Sequence, residues 1–234
     1  DIMQKTLKKY FPIFVLPTLI AFLIAFIVPF LMGVYLSFTE FTTVTNAKWV
    51  GLQNYGKAFT ANGDFVHALG FTAAFTAVAV VTINVLAFTL AMLLTRGVTC
   101  TNLFRTVFFM PNLIGGIVLG YIWQLIINGV LINFGVDITF SSKYGFWGLV
   151  VLMNWQLIGY MMIIYIAGIQ NISTELMETA QIDGARPGQV LFKITIPLVM
   201  PSITICTFLT LTNSFKLFDQ NFALTGGAPG KQTA

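Results

Sequence analysis

Five stretches of this chain, residues 10–39, 65–95, 106–136, 144–174 and 194–215, contain no Asp, Glu, Lys or Arg. A helix that crosses a bilayer needs about 20 mostly apolar residues, so each stretch can hold one. The charged share of the chain is 9%, against roughly 25% in a soluble domain, so a water-exposed surface cannot be built from it. The fold class expected is all-α: a polytopic helical membrane protein in a single domain, 1–234. Its spans fall at about 11–38, 66–94, 106–128, 146–170 and 196–216. The longer windows exceed what a perpendicular helix needs, which implies tilt or polar ends lying in the interface. Pro17, Pro29, Pro111, Pro197 and Pro201 interrupt several spans. Any one can be ordinary curvature, but Pro197 and Pro201, one turn apart, mark a designed bend.

The basic balance, net +4, invites comparison with nucleic-acid binders. The Lys and Arg are scattered without a basic stripe, so no nucleic acid is expected, and topology explains them better. Placing Lys5, Lys8 and Lys9 in the cytoplasm puts Arg96, Arg105, Arg186 and Lys193 there too, while Lys48, Lys57, Lys143, Lys216 and Lys231 fall outside. All the arginines are then inside, which supports a cytoplasmic N-terminus. The first apolar run is too long for a secretory leader and reads as a retained helix. Cys100 and Cys206 read as small core residues, and His67 as a packing or interfacial residue; no metal is expected. After five spans the Gly/Pro-rich tail lies outside, where a sixth span is expected to follow.

Residues 174–197, TELMETAQIDGARPGQVLFKITIP, are the one place where charge, helix signals and turn signals are packed together. Ser173 and Thr174 can cap a helix, and Glu175 and Glu178 suit its first turns. Asp183-Gly184 stops it. Pro187 then opens a second short helix, 188–193, running into a bend at Pro197. A cytoplasmic helix of about nine residues is marginal alone and needs a partner to pack against.

The same residues resemble the cytoplasmic motif of permease subunits from binding-protein-dependent ABC importers: E-A-A, three residues, G, nine residues, I-x-L-P. Here Glu178-Thr179-Ala180, Gly184 and Ile194-Thr195-Ile196-Pro197 keep every spacing, with Thr179 for Ala and Ile196 for Leu. WVGLQNYGKAF (49–59), RTVFFMPNLIGGIVLGYIW (105–123) and ALTGGAPG (223–230) are similar to segments of permeases for sugars, oligosaccharides and glycerol phosphate. The resemblance implies a type I importer fold whose 171–195 loop carries a coupling helix, with Glu178, Thr179, Ala180, Asp183, Gly184, Ile194 and Pro197 serving ATPase coupling. It implies a second permease subunit, two cytoplasmic ATPase subunits, an extracytoplasmic solute-binding protein and the cytoplasmic membrane of a bacterium or archaeon. No Walker A pattern is present, so ATP and Mg are expected on the partner ATPase. No cofactor is expected on this chain, which is a transport subunit and not an enzyme.

Polar groups within spans are costly unless they face the bundle or a cavity. Gln156 and Tyr160 share a face of the fourth span, and Thr212, Asn213 and Lys216 form a patch in the fifth, near its outer end. Aromatic faces with neutral hydrogen-bonding groups suit a sugar. Resemblance to the maltose-type permease adds Leu157 and Leu209 and makes Gln156, Tyr160, Leu209, Thr212, Asn213 and Lys216 the substrate-pathway candidates. The alternative for each is an interfacial belt residue or helix–helix glue. Glycerol phosphate, a polyamine or another small solute remain alternative cargoes. An ion-coupled secondary transporter or channel would call for carboxylates within the spans, and the five windows hold none.

Overall fold

A computed structural model describes residues 2–227 apart from 44, 61–63 and 98, with only the backbone course for 2–9 and 64. Five helical stretches are long and apolar enough to cross a membrane: Tyr10–Ser37, Phe65–Leu94, Gly116–Phe134, Ser142–Gln170 and Pro187–Phe215. The chain divides into two compact units, 1–66 and 67–234.

In the first unit α1 (Ile2–Phe22), a π-helical turn (Leu23–Ile27) and α2 (Val28–Ser37) form one continuous helical run. A short antiparallel pair, β1 (Thr39–Phe41) and β2 (Ala47–Trp49), sets Glu40 opposite Lys48. Helix α3 (Gln53–Thr60) follows. Asn54 Nδ2 donates to the carbonyls of Ser37 and Thr39, at 3.0 and 2.9 Å, closing backbone acceptors that the end of α2 leaves open. The Phe38 ring packs on Trp49 and on Tyr55, with centroids 5.5 and 5.6 Å away. The 49–59 segment is therefore a clasp on the end of a span.

The second unit is built around α7 (Ser142–Gln170), the most deeply buried of the spans. Helix α4 (Asp64–Leu94) turns Phe75, Ala79, Ile83, Ala87 and Ala91 inward, one residue in four, and the alanines allow close approach. Helix α5 (Thr101–Phe109) crosses α7 at Gly159, where any side chain would strike the Phe108 carbonyl. Polar side chains join the spans: Tyr165 donates to Asn84 Oδ1 at 2.6 Å, Asn84 Nδ2 to Thr210 Oγ1 at 3.4 Å, and Asn154 Nδ2 to Thr82 Oγ1 at 3.0 Å. Such bonds contribute about 0.6 kcal/mol each in a membrane.

Three features differ from the sequence expectation. The span expected at 106–128 is broken: α5 ends in a 3-10 turn, Met110–Leu113, and extended residues Ile114 and Gly115 precede α6 (Gly116–Leu131). The fixed φ and missing N–H of the buried Pro111 end the helix there. The bend expected at Pro197 is absorbed into a continuous helix: α9 (Pro187–Val190), a π turn (Leu191–Thr195) and α10 (Ile196–Phe215). There Ile196 N–H reaches back to Leu191 O; in the first span Val28 N–H likewise reaches Leu23 O. In both cases a proline follows at once, Pro197 or Pro29. A π turn widens the helix where a proline ring would otherwise meet the carbonyl four residues back, so the helix continues without a break. The third difference is a helix not foreseen, α11 (Asp219–Thr225), closed by Gly226 at φ +60.

Candidate functional site: an exposed docking helix and a polar break at mid-depth

Helix α8 (Thr174–Ile182) ends in a complete Schellman motif. Ala185 N–H donates to Ala180 O and Gly184 N–H to Gln181 O, at 2.9 and 3.0 Å, with Gly184 at φ +74. A residue with a Cβ is strained at that φ, so Gly184 sets where the helix stops and how the chain turns toward α9. Gln189 Oε1 then accepts from Arg186 N–H at 2.8 Å, fixing the start of α9. Glu178, Thr179, Asp183 and Gly184 are all exposed, as a docking surface requires. Ala180 is buried and faces the protein, so it supports α8 and is not itself a contact surface. Ile194 is half-buried within the π turn and Pro197 lies just beyond it. Ile182, which motif spacing passes over, is 85% exposed, more than any other large apolar side chain described. The signal was an isoleucine directly before the Asp-Gly stop of an otherwise polar helix.

The pathway candidates form two groups. Gln156, at the centre of α7, is buried; its Nε2 lies 3.5 Å from the carbonyl of Ile114 in the α5–α6 break, and its Oε1 accepts from Gln220 of α11 at 3.2 Å. Tyr160, one turn on, is half-buried with its ring 6.4 Å from Phe109. On α10, Leu209, Thr212, Asn213 and Lys216 share a face at i, i+3, i+4 and i+7, distinct from the face that buries Cys206, Thr210 and Ser214. Thr212 and Asn213 donate to the carbonyls of Phe208 and Leu209, both at 2.9 Å, leaving their oxygens to accept. None of the described hydrogen bonds joins the two groups.

Lys216 caps α10 at the end of the fifth span, where the sequence placed it, but that end falls short of the end of α7. Cys206 Sγ sits 3.8 Å from Met161 O, and Lys216 is ten residues further, about 15 Å at 1.5 Å per residue. With α10 antiparallel to α7, that level is near residue 151, within two turns of the α7 centre. Gln220, four residues after Lys216, touches the α7 centre itself. Helix α10 therefore stops level with the inner part of α7, and α11 runs alongside and parallel to α6, where Gly116 and Gly120 make room for it. A Cβ on Gly120 would lie 2.7 Å from Ala223 Cβ and 2.8 Å from Gln220 O. Gln124 Nε2 donates to Leu224 O at 3.0 Å from the same face. Two interrupted helices thus meet at the middle of α7, and that is where transporters place polar sites. The helix signals for α11, Asp219 in its first turn and Gly226 at its end, were in the sequence but short.

The fold is that of the membrane-spanning part of an ABC importer. All of this chain superposes on 83% of a chain in the crystal structure of a bacterial ABC transporter involved in the import of the acidic polysaccharide alginate, with a TM-score of 0.79 and 20% identity. Residues 87–229 match the family of binding-protein-dependent transport system inner membrane components, and the chain belongs to that family. It is 42% identical over 229 residues to the probable starch degradation products transport system permease protein AmyD of Thermoanaerobacterium thermosulfurigenes, covering 94% of this chain and 78% of that one. It is 32% identical over 241 residues to the multiple sugar-binding transport system permease protein MsmF of Streptococcus mutans, covering 98% and 83%. The chain is accordingly a multi-pass permease subunit with no catalytic role of its own.

Proposed function

We propose that this chain forms half of the ATP-driven translocation pathway for a sugar or oligosaccharide. It pairs with a second permease subunit, two cytoplasmic ATPases that hold ATP and Mg, and an extracytoplasmic solute-binding protein, and its N-terminus is cytoplasmic. The observation that carries the coupling part is α8: a short helix, stopped by Gly184, that presents Ile182, Glu178 and Asp183 outward. Acidic groups and one apolar anchor suit a cleft with basic or N–H donors and a hydrophobic floor. The helix that follows is unbroken from Pro187 to Phe215, so a push on α8 is delivered to the Leu209–Lys216 face.

The sugar reading is supported by that face, by Tyr160 and by the relatives' names. Thr212 and Asn213 oxygens accept, the Lys216 ammonium donates, and Tyr160 supplies an apolar ring. This is the mixture that hydroxyl-bearing rings need. The cation on that face gives glycerol phosphate some support and speaks against a polyamine.

Reconstitution with the partner subunits and binding protein in vesicles tests the proposal. Labelled maltodextrin is expected to enter only with ATP, and Glu178→Arg combined with Gly184→Pro abolishes uptake by detaching the ATPase. Uptake unchanged in that double variant would overturn the docking role. Uptake of glycerol phosphate but of no saccharide would overturn the cargo.

A further inference from the structure

Helix α11 turns Gln220 and Leu224 toward α6 and α7. Gln220 Nε2 donates to Gln156 Oε1 at 3.2 Å, and Leu224 is fully buried. At about 100° per residue, Phe218 and Phe222 take the opposite side of α11, with Asp219 at its edge. All three are exposed, and the two rings stack with their centroids 5.7 Å apart. Gln156 is the midpoint of α7 (Ser142–Gln170), so Asp219, the residue before Gln220, is level with the centre of that span. The turn after α10 brings it there: Phe218 N–H donates to Lys216 O at 2.8 Å, folding the backbone back toward the α7 centre. Three residues reach at most about 10 Å, so Lys216 and Asp219 are neighbours of opposite sign. Neither side chain has a hydrogen bond or an ion pair among the described residues. A charge at the depth of hydrocarbon is costly against lipid, so these two call for water or a polar ligand.

We infer that Asp219 is a specificity-determining residue of the translocation route, accepting hydroxyl hydrogens of a neutral saccharide and offsetting the charge of Lys216. Its role as a saccharide contact rests on the sugar reading proposed above; its place on an aqueous route beside Lys216 does not. The hydroxyls of a sugar ring need acceptors as well as donors. A carboxylate only accepts, through two oxygens, and an ammonium only donates. Bonds from a hydroxyl to a carboxylate are charge-assisted and about twice as strong as neutral ones. The exposed rings of Phe218 and Phe222 offer an apolar surface for the C–H face of a sugar. The two charges also act by exclusion. Lys216 alone would draw in any anion. With Asp219 beside it a phosphate meets repulsion, a polyamine meets the same from Lys216, and an uncharged hydroxylated ring meets neither.

The test uses the complete transporter with its binding protein in vesicles, in a background with Cys100 and Cys206 replaced by serine. Asp219→Cys should react with membrane-impermeant thiosulfonates. The anionic reagent should be roughly fivefold faster than the cationic one, each scaled to a free thiol, because Lys216 remains. Lys216→Cys should show the reverse preference, because Asp219 remains. Asp219→Asn should take up labelled maltodextrin about tenfold more slowly at saturating loaded binding protein, the loss of one charge-assisted bond. Asp219→Glu should recover most of that rate. No reaction at position 219 would put the residue against lipid or a partner subunit and overturn the inference. So would a reagent preference shared by both cysteine variants, or wild-type uptake in Asp219→Asn. Thiol reactivity is read without substrate. If the wild type imports no saccharide while both reagent preferences hold, the saccharide contact falls with the cargo reading, and the charge pair on the route stands.

Discussion

Ile182 ends α8 with 85% of its surface in the open, on an element otherwise polar enough for water. Covering such a side chain is worth about 1.5–3 kcal/mol. Ile182→Glu is therefore expected to weaken ATPase binding at least tenfold, as measured by co-purification, while membrane insertion stays normal; undiminished co-purification would show that the anchor lies elsewhere. Gln156 acts differently. It is buried and bridges a broken helix and α11. Gln156→Leu strands the amide of Gln220 and the Ile114 carbonyl, at a cost of about 1–3 kcal/mol, which should appear as a lower thermal-unfolding midpoint. Asn213→Ala should instead leave that midpoint in place and reduce uptake, and Tyr160→Ala should also reduce uptake; if neither changes transport or its specificity, the pathway assignment fails. The sequence made these residues visible because polar groups stand out in apolar windows. It could not separate Gln156, whose bonds are internal, from Asn213, whose oxygen is free, because the difference lies in which neighbours the fold supplies.

At the level of elements, the long helices were legible because charge-free windows leave the backbone no other way to satisfy its polar groups in lipid. The helix–Gly–helix form of residues 174–197 was legible too: Gly184 stops α8 and Pro197 follows the π turn, local backbone roles that spacing exposes. The break at 110–115 was not, because Pro111 reads like Pro197 until it is known which carbonyls find partners. The Ile114 carbonyl finds Gln156, whereas at Pro197 the chain widens into a π turn. Helix α11 was too short for periodicity to register. Its place depends on Gly116 and Gly120, so Gly120→Val should push it off α6 at a cost of about 1–3 kcal/mol. Limited proteolysis should then cut between 217 and 227 in the variant and not in the parent; identical digestion would show that α11 is held by other contacts.

For the molecule as a whole, the decisive group is Lys216, exposed on this chain and level with about residue 151 of α7. A lysine facing lipid at the centre of a bilayer costs about 2.5–3.5 kcal/mol, a cost avoided in the proposed reading, where this face lines an aqueous route. In a background with Cys100 and Cys206 replaced by serine, Lys216→Cys should react with a membrane-impermeant thiol reagent in the assembled transporter; no reaction would put that face against lipid. The π turn at Leu191–Thr195 adds a kinematic consequence. It holds one residue more than the α turn it replaces, and one residue is about 100° of helical rotation. Were that turn to tighten, α8 and the Leu209–Lys216 face would swing about the helix axis by that angle relative to each other. The segment between α8 and that face is thus geared for torsion: a straight thrust at one end can arrive as a twist at the other.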